Sequence, residues 1–266
     1  MRIGQFTTRL ILTVSLLLLV GVVGISIGVY FIGKSMIEGQ AAEDMAELNQ
    51  RQQRELQGLV DTHISLADSL VKTSLVRAAL KNFADAYASA GRLNQREKDI
   101  IGKGLENYYT DSLPDIWAQH VAELPPMADF IPSTENAMAL QFAYLADNPN
   151  THGKKHYMNR HEGRLDYHDW HAEFHGEFGR ILDKTRASDI LLVNTAFSAV
   201  LYSHRKHIDF ATSLLSGGIG KSRLGEVFMK IADRKHEGRR FTGFFKYPGA
   251  HGESVGFVWA PIMNAD

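Results

Sequence analysis

From Leu10 to Gly33 the chain runs 24 residues without a charge, LILTVSLLLLVGVVGISIGVYFIG. No other feature restricts the fold as severely. At about 1.5 Å per residue, a helix of this length crosses a hydrocarbon core of roughly 30 Å. Sixteen of the residues are Leu, Ile, Val or Phe, whose transfer into lipid outweighs that of the few Ser, Thr and Gly. A cleaved signal peptide carries a shorter apolar core, about 7–15 residues, with a small-x-small site close behind it, and no such site follows here. Arg2 and Arg9 precede the run, whereas Lys34 and then Glu38, Glu43 and Asp44 follow it. The positive-inside rule therefore keeps residues 1–9 in the cytoplasm and makes 10–33 a retained transmembrane helix. No second run of spanning length occurs, so the chain crosses once and everything beyond residue 34 lies outside the cytoplasm.

The outer part opens with a helical pattern. Residues 35–92 hold no Pro, and Leu56, Leu59, Val60, His63, Leu66, Ala67, Leu70 and Val71 recur at spacings of three and four. That pattern predicts one long stalk helix with an apolar stripe, which needs a cover: its own domain and a second copy. The stripe drifts beyond Lys72. Residues 93–186 read as a helical part, with a turn at AGRLNQ, a helix over about 96–120 that Pro114 kinks or restarts, and a prolyl loop, ELPPMADFIPSTEN. A short apolar helix, ENAMALQFAYLADNPN, and a helix over about 166–185 complete it. From residue 187 the texture changes. SDILLVN, FSAVLYSHRKHIDF, GRRFTGFFKYP and ESVGFVWAPIM read as strands, with a helix, RLGEVFMKIADR, after the second. The expected class is α+β, the strands forming a PAS-like antiparallel sheet over 187–266.

Composition removes several functions. The formal net charge is −1, which provides no field for nucleic acid. The absence of cysteine excludes disulfides, thiolate zinc sites and cysteine nucleophiles. GGIGKS, 217–222, imitates the end of a phosphate-binding loop, but Leu215 stands where its first Gly belongs. No nucleophile and base occur at catalytic spacing, so neither an enzyme nor a bound cofactor is expected.

The stretch HYMNRHEGRLDYHDWHAEFH, 156–175, is rich in histidine. His168, His171 and His175 lie three and four residues apart, their directions within roughly 60° on a helix. Imidazoles so spaced are metal candidates; the competing readings are a pH-sensitive group and a helix face packed against carbonyls. For a small-molecule ligand, the sheet and its covering loops offer Tyr202, Arg205, His207, Asp209, Tyr247 and Trp259. An anion would take Arg205 or Lys206, and an amine would take Asp209 with an aromatic wall.

The stretches LENYYTDSLP, ALQFAYLADNPNTHGKKHYM, YHDWHAEFHGEFGRILDK, DILLVN and IDFATSLLSG, within about 105–217, resemble the extracytoplasmic Cache-type sensor region of bacterial methyl-accepting chemotaxis proteins. Similar sensors are attached to histidine kinases and nucleotide cyclases. The resemblance implies a single-pass inner-membrane receptor with a periplasmic sensor, dimeric through its stalk. It also implies a second membrane helix, a HAMP module and an output domain after the APIM segment, where this sequence stops. The expectation is a receptor region lacking its output, or a non-signalling truncated receptor. RASDILL, LYSHRKHID and Gly217-Gly218-Ile219 depart from the family pattern where a ligand pocket belongs, so no relative's ligand is carried over.

Overall fold

The computed structural model describes residues 2–119, 121, 123–233 and 240–262, with the backbone alone for residues 2–29, 32, 37, 41 and 42. The chain divides into two compact units, Met1–Leu59 and Val60–Asp266. Among the described residues no helix is long and apolar enough to cross a membrane. The expected span, residues 10–33, lies outside the described side chains except at Tyr30, Phe31 and Gly33.

A single helix, α1 (Arg2–Leu70), accounts for the first unit and reaches into the second. Within the first unit it carries spaced ion pairs, Lys34–Glu38 and Arg51–Glu55, and leaves Met45, Leu48, Leu56 and Leu59 exposed. The predicted continuous helix over 35–92 is interrupted at 71–73, because Thr73 serves both neighbours. Its hydroxyl donates to the Leu70 carbonyl at 2.6 Å, and the same oxygen accepts from Val76 N–H as the N-cap of α2 (Ser74–Ala90). A side chain that satisfies the end groups of two helices replaces the backbone bonds that continuity would have made.

In the second unit, Asn94 and Glu97 close a capping box on α3 (Gln95–Asn107). A π-helical turn, Tyr108–Ser112, leads into α4 (Leu113–Trp117), where Pro114 sits in the first turn. After the prolyl loop come α5 (Glu135–Gln141), a second π turn (Phe142–Ala146) and α6 (Asp166–Asp183). The Gly-rich turn forms α7 (Gly217–Gly220), ahead of α8 (Arg223–Ala232). Gly218 lies beneath the Phe130 ring, where a Cβ would approach to 2.3 Å, so these glycines serve packing.

All four predicted strands form: β1 (Leu191–Asn194), β2 (Ala199–Ser203), β3 (Phe241–Lys246) and β4 (Ser254–Val258). The class is α+β. The strands make two separate antiparallel pairs, β1–β2 and β3–β4, where one PAS-like sheet was expected. The reason lies on the outer edge of β2. The chain turns back after it, so that Val200 N–H donates to Thr212 O, Ala211 N–H to Val200 O and Leu214 N–H to Ser198 O. With that edge satisfied, no other strand can join there.

Every residue of β2 is buried, and two apolar clusters meet at it. Ala199, Leu201 and Tyr202 join Phe83 of α2 and Tyr167, Phe174 and Phe178 of α6. Val200 joins Leu105, Tyr109, Trp117, Phe228 and Tyr247 in the other cluster. The regions read separately as 93–186 and 187–266 thus share one core, and the compact unit starts at Val60.

Candidate functional site

Two buried polar clusters lie against β2 and the loop that follows it. The first is built on α6. Its apolar positions turn inward, and His168, His171 and His175 turn with them, none more than 5% exposed. Each imidazole is engaged. His175 Nε2 lies 2.6 Å from the His156 carbonyl and so carries the proton, leaving Nδ1 to accept from Tyr202 Oη–H at 2.8 Å. His204 Nδ1 is 3.2 Å from the same hydroxyl, and with that proton committed to His175 it acts as donor. The result is a directed chain, His204 to Tyr202 to His175 to the backbone of the 155–157 turn. His171 Nδ1 donates to Asn159 O at 2.6 Å, whereas its Nε2 is buried with no hydrogen-bond partner. His168 Nδ1 meets Tyr144 Oη at 3.1 Å.

Burial holds these rings neutral, and nearby cations reinforce it. His168 is lowered to about 4 by desolvation and then by His161 and Arg160. Desolvation and Lys206 bring His175 and His204 to about 3, and push His171 well below its ordinary value. Lys206 itself is 2% exposed. Its ammonium donates to the Ser203 carbonyl at 2.8 Å and lies 4.9 Å from the Tyr202 ring centre and 5.6 Å from that of Tyr144. Burial, partly offset by Asp189, lowers it to about 7. Asp189 organises the loop by accepting from the N–H groups of Ile190, His204 and Arg205 and from Ser203 Oγ.

The three α6 histidines therefore do come together, as their spacing predicted, but their lone pairs do not converge. His171 and His175 stack face to face at 4.4 Å, and Asp169 turns outward to Arg160. Among the described residues no group of three or more His, Asp or Glu is arranged to hold a metal ion.

The second cluster surrounds Asp209, which is 2% exposed. Its Oδ2 accepts from Tyr247 Oη–H at 2.8 Å, while Oδ1 is buried with no hydrogen-bond partner among the described residues. Gln141 Nε2 donates to the carbonyls on either side, Ile208 at 2.9 Å and Phe210 at 2.8 Å, and its Oε1 accepts from Tyr109 Oη–H at 2.7 Å. Desolvation, followed by the charge of Asp189, raises the Asp209 carboxyl to about 7.

The six residues expected to line a ligand pocket are thus divided. Asp209 and Tyr247 bond directly, and His207 lies near them with its ring 5.3 Å from that of His251. Tyr202 belongs to the histidine cluster. Arg205 is exposed and donates to the Ser188 carbonyl. Trp259 follows β4, with its backbone N–H on Arg240 O. Sequence reasoning missed Gln141, His204, Asp189 and Tyr109. Only Gln141 left a signal, as an amide within the apolar run AMALQFAYLA. Compared with family models, curated proteins and solved structures, the chain matches none.

Proposed function

We propose that this chain is the ligand-sensing region of a membrane-anchored bacterial receptor of the chemoreceptor type, with its compact unit outside the cytoplasm. The observation that carries the reading is the span of α1. One helix contains the uncharged run of 10–33 and ends inside the compact unit, where Asp68 is gripped by both terminal guanidinium nitrogens of Arg240, just ahead of β3. Movement of the β3–β4 hairpin would therefore be felt at the last turn of α1, the helix that carries the uncharged run, which is the coupling a transmembrane sensor needs. The two hairpins and their flanking helices stand for the sheet part of a PAS-like sensor. The exposed Met45, Leu48, Leu56 and Leu59 on α1 support pairing with a second copy.

The test uses the full chain expressed in a bacterium. It should remain with the membranes after carbonate washing, be cleaved by protease added outside spheroplasts, and sediment as a dimer in mild detergent. A thermal-shift screen against amino acids, organic acids, amines and divalent metals should then find a stabilising compound. A ligand at a hundred times its Kd contributes about 2.7 kcal/mol, a shift of several degrees. Recovery in the soluble fraction, or protection from external protease, overturns the membrane reading. Silence across the whole panel overturns ligand sensing.

A further inference from the structure

The Asp209 carboxyl has no structural reason to be ionisable unless its charge is used. It lies where the two antiparallel pairs meet. Asp209 belongs to the segment that turns back along β2, while Tyr247, its one hydrogen-bonded side-chain partner among the described residues, follows β3 directly. The backbone on the Asp209 side is fixed. Gln141 holds the carbonyls of Ile208 and Phe210, and Thr212 returns both its N–H and its hydroxyl to the Asp209 carbonyl.

The groups facing it offer little compensation for charge. Tyr247 gives one hydrogen bond to Oδ2, and the backbone N–H groups of Asp209 itself and of Phe210 favour the charged form less strongly. The Tyr109 hydroxyl, from the π turn, is committed to Gln141. The charge that acts on it is another carboxylate, Asp189, which opposes ionisation. Of the imidazoles on this side, His207 on the same loop is held neutral down to about 4 by its own burial, next to Arg205 and facing Glu253. His251, from the hairpin turn, packs against His207 and His152. Lys206, three residues before Asp209, is turned the other way, onto the carbonyls of Ser203 and His204.

We propose that Asp209 is a proton-operated latch between the β2 loop and the β3–β4 hairpin. Neutral, the carboxyl keeps Tyr247 and the hairpin docked. Ionised, it is a buried charge held by one side-chain donor and its adjoining backbone, and water reaches it by loosening the β3–β4 hairpin. The hairpin suits that role, because it is a two-stranded pair with an irregular register between Phe241 and Phe244. Burial weakens the Asp209 carboxyl as an acid, to a pKa of about 7, which places the transition in a physiological range. The latch stands independently of any ligand and of the membrane.

The sign follows from linkage. A carboxyl that is more acidic when exposed makes opening easier as pH rises toward its closed-state value, and no easier beyond it. Hydrogen exchange of the full chain, read on peptides covering 241–258 and corrected for intrinsic exchange, measures that opening. The opening equilibrium should climb roughly tenfold or more from pH 5 to pH 7 and level off above pH 7. Asp209→Asn should flatten the profile in this segment. Tyr247→Phe, which removes the side-chain donor to the charged form, should move the plateau to higher pH and provides a second route if the Asn variant folds poorly. Protection in 241–258 that is constant from pH 5 to 8 in the unmodified chain overturns the latch, as does an unchanged profile in either folded variant.

Discussion

Gln141 illustrates how one side chain can hold a core together where its sequence context argues for an aliphatic. It is fully buried, and it satisfies three groups that no water reaches: the Tyr109 hydroxyl and the carbonyls of Ile208 and Phe210. Gln141→Met keeps the length of the side chain and removes all three bonds. Each buried group left without a partner costs about 1–3 kcal/mol, so the substitution should destabilise the chain by roughly 3 kcal/mol or more. The shift of the urea midpoint at unchanged slope is the measurement; a loss under about 1 kcal/mol would mean that the three groups find other partners. The same residue marks the limit of reading a site from sequence. The α6 histidines were legible because three- and four-residue spacing places side chains on one face whatever surrounds them. Their roles were not, because the tautomer of His175 is set by His156 and Tyr202, residues on other elements. Nor does any local pattern pair Asp209 with Tyr247, 38 residues further on.

At the scale of elements, local signals were sufficient wherever the deciding groups are neighbours in the chain. The turn at AGRLNQ and Pro114 marked helix starts, and the alternation in GRRFTGFFKYP marked a strand, since turns and patterns of this kind act within a few residues. The break at 71–73 was equally local and was passed over, because the apolar stripe persists through Leu70 and Val71 and masks the Thr73 cap. Thr73→Ala tests that account. Losing the bond to Val76 N–H should cost about 1 kcal/mol, measured by chemical unfolding, with exchange increasing first in the opening turn of α2. An unchanged stability would mean that packing of Val76 and Ala79, both buried, fixes the start of α2 without the cap. The pairing of strands belongs to a different class of information. Four strands were legible as strands, but the closing of the outer edge of β2 by residues 211–214 depends on Ala211 adopting φ 61, a conformation that alanine rarely takes and no sequence pattern announces.

Across the whole molecule, buried titratable groups of opposite sense set a dependence of stability on pH. His168, His171, His175 and His204 are all neutral in the fold, their affinities for protons depressed by burial and by one another and Lys206. Unfolded, they titrate near 6.5, so below that pH the unfolded chain binds protons that the fold refuses. Stability therefore falls as pH drops from 6.5 toward about 4. These four protons at about 1.4 kcal/mol per pH unit each contribute up to about 5.5 kcal/mol per unit at the steepest point. Asp209 acts in the opposite direction. Its raised carboxyl favours the fold at low pH and loses that advantage between its unfolded value, 3.8, and about 7. Lys206, lowered to about 7, restores some stability as pH rises from 7 toward 10.5. With His207, also lowered to about 4, the imidazoles outweigh the raised carboxyls of Asp209 and Asp189 on the acid side, so the thermal midpoint should collapse between pH 6.5 and 4.5. His204→Phe should make that acid limb shallower, because it removes one of the proton-refusing rings, even if it lowers the midpoint at pH 7 through the loss of the bond to Tyr202. Denaturation curves of both chains at half-unit pH intervals decide the matter: equal acid slopes would mean that the histidine cluster is hydrated and carries no linkage.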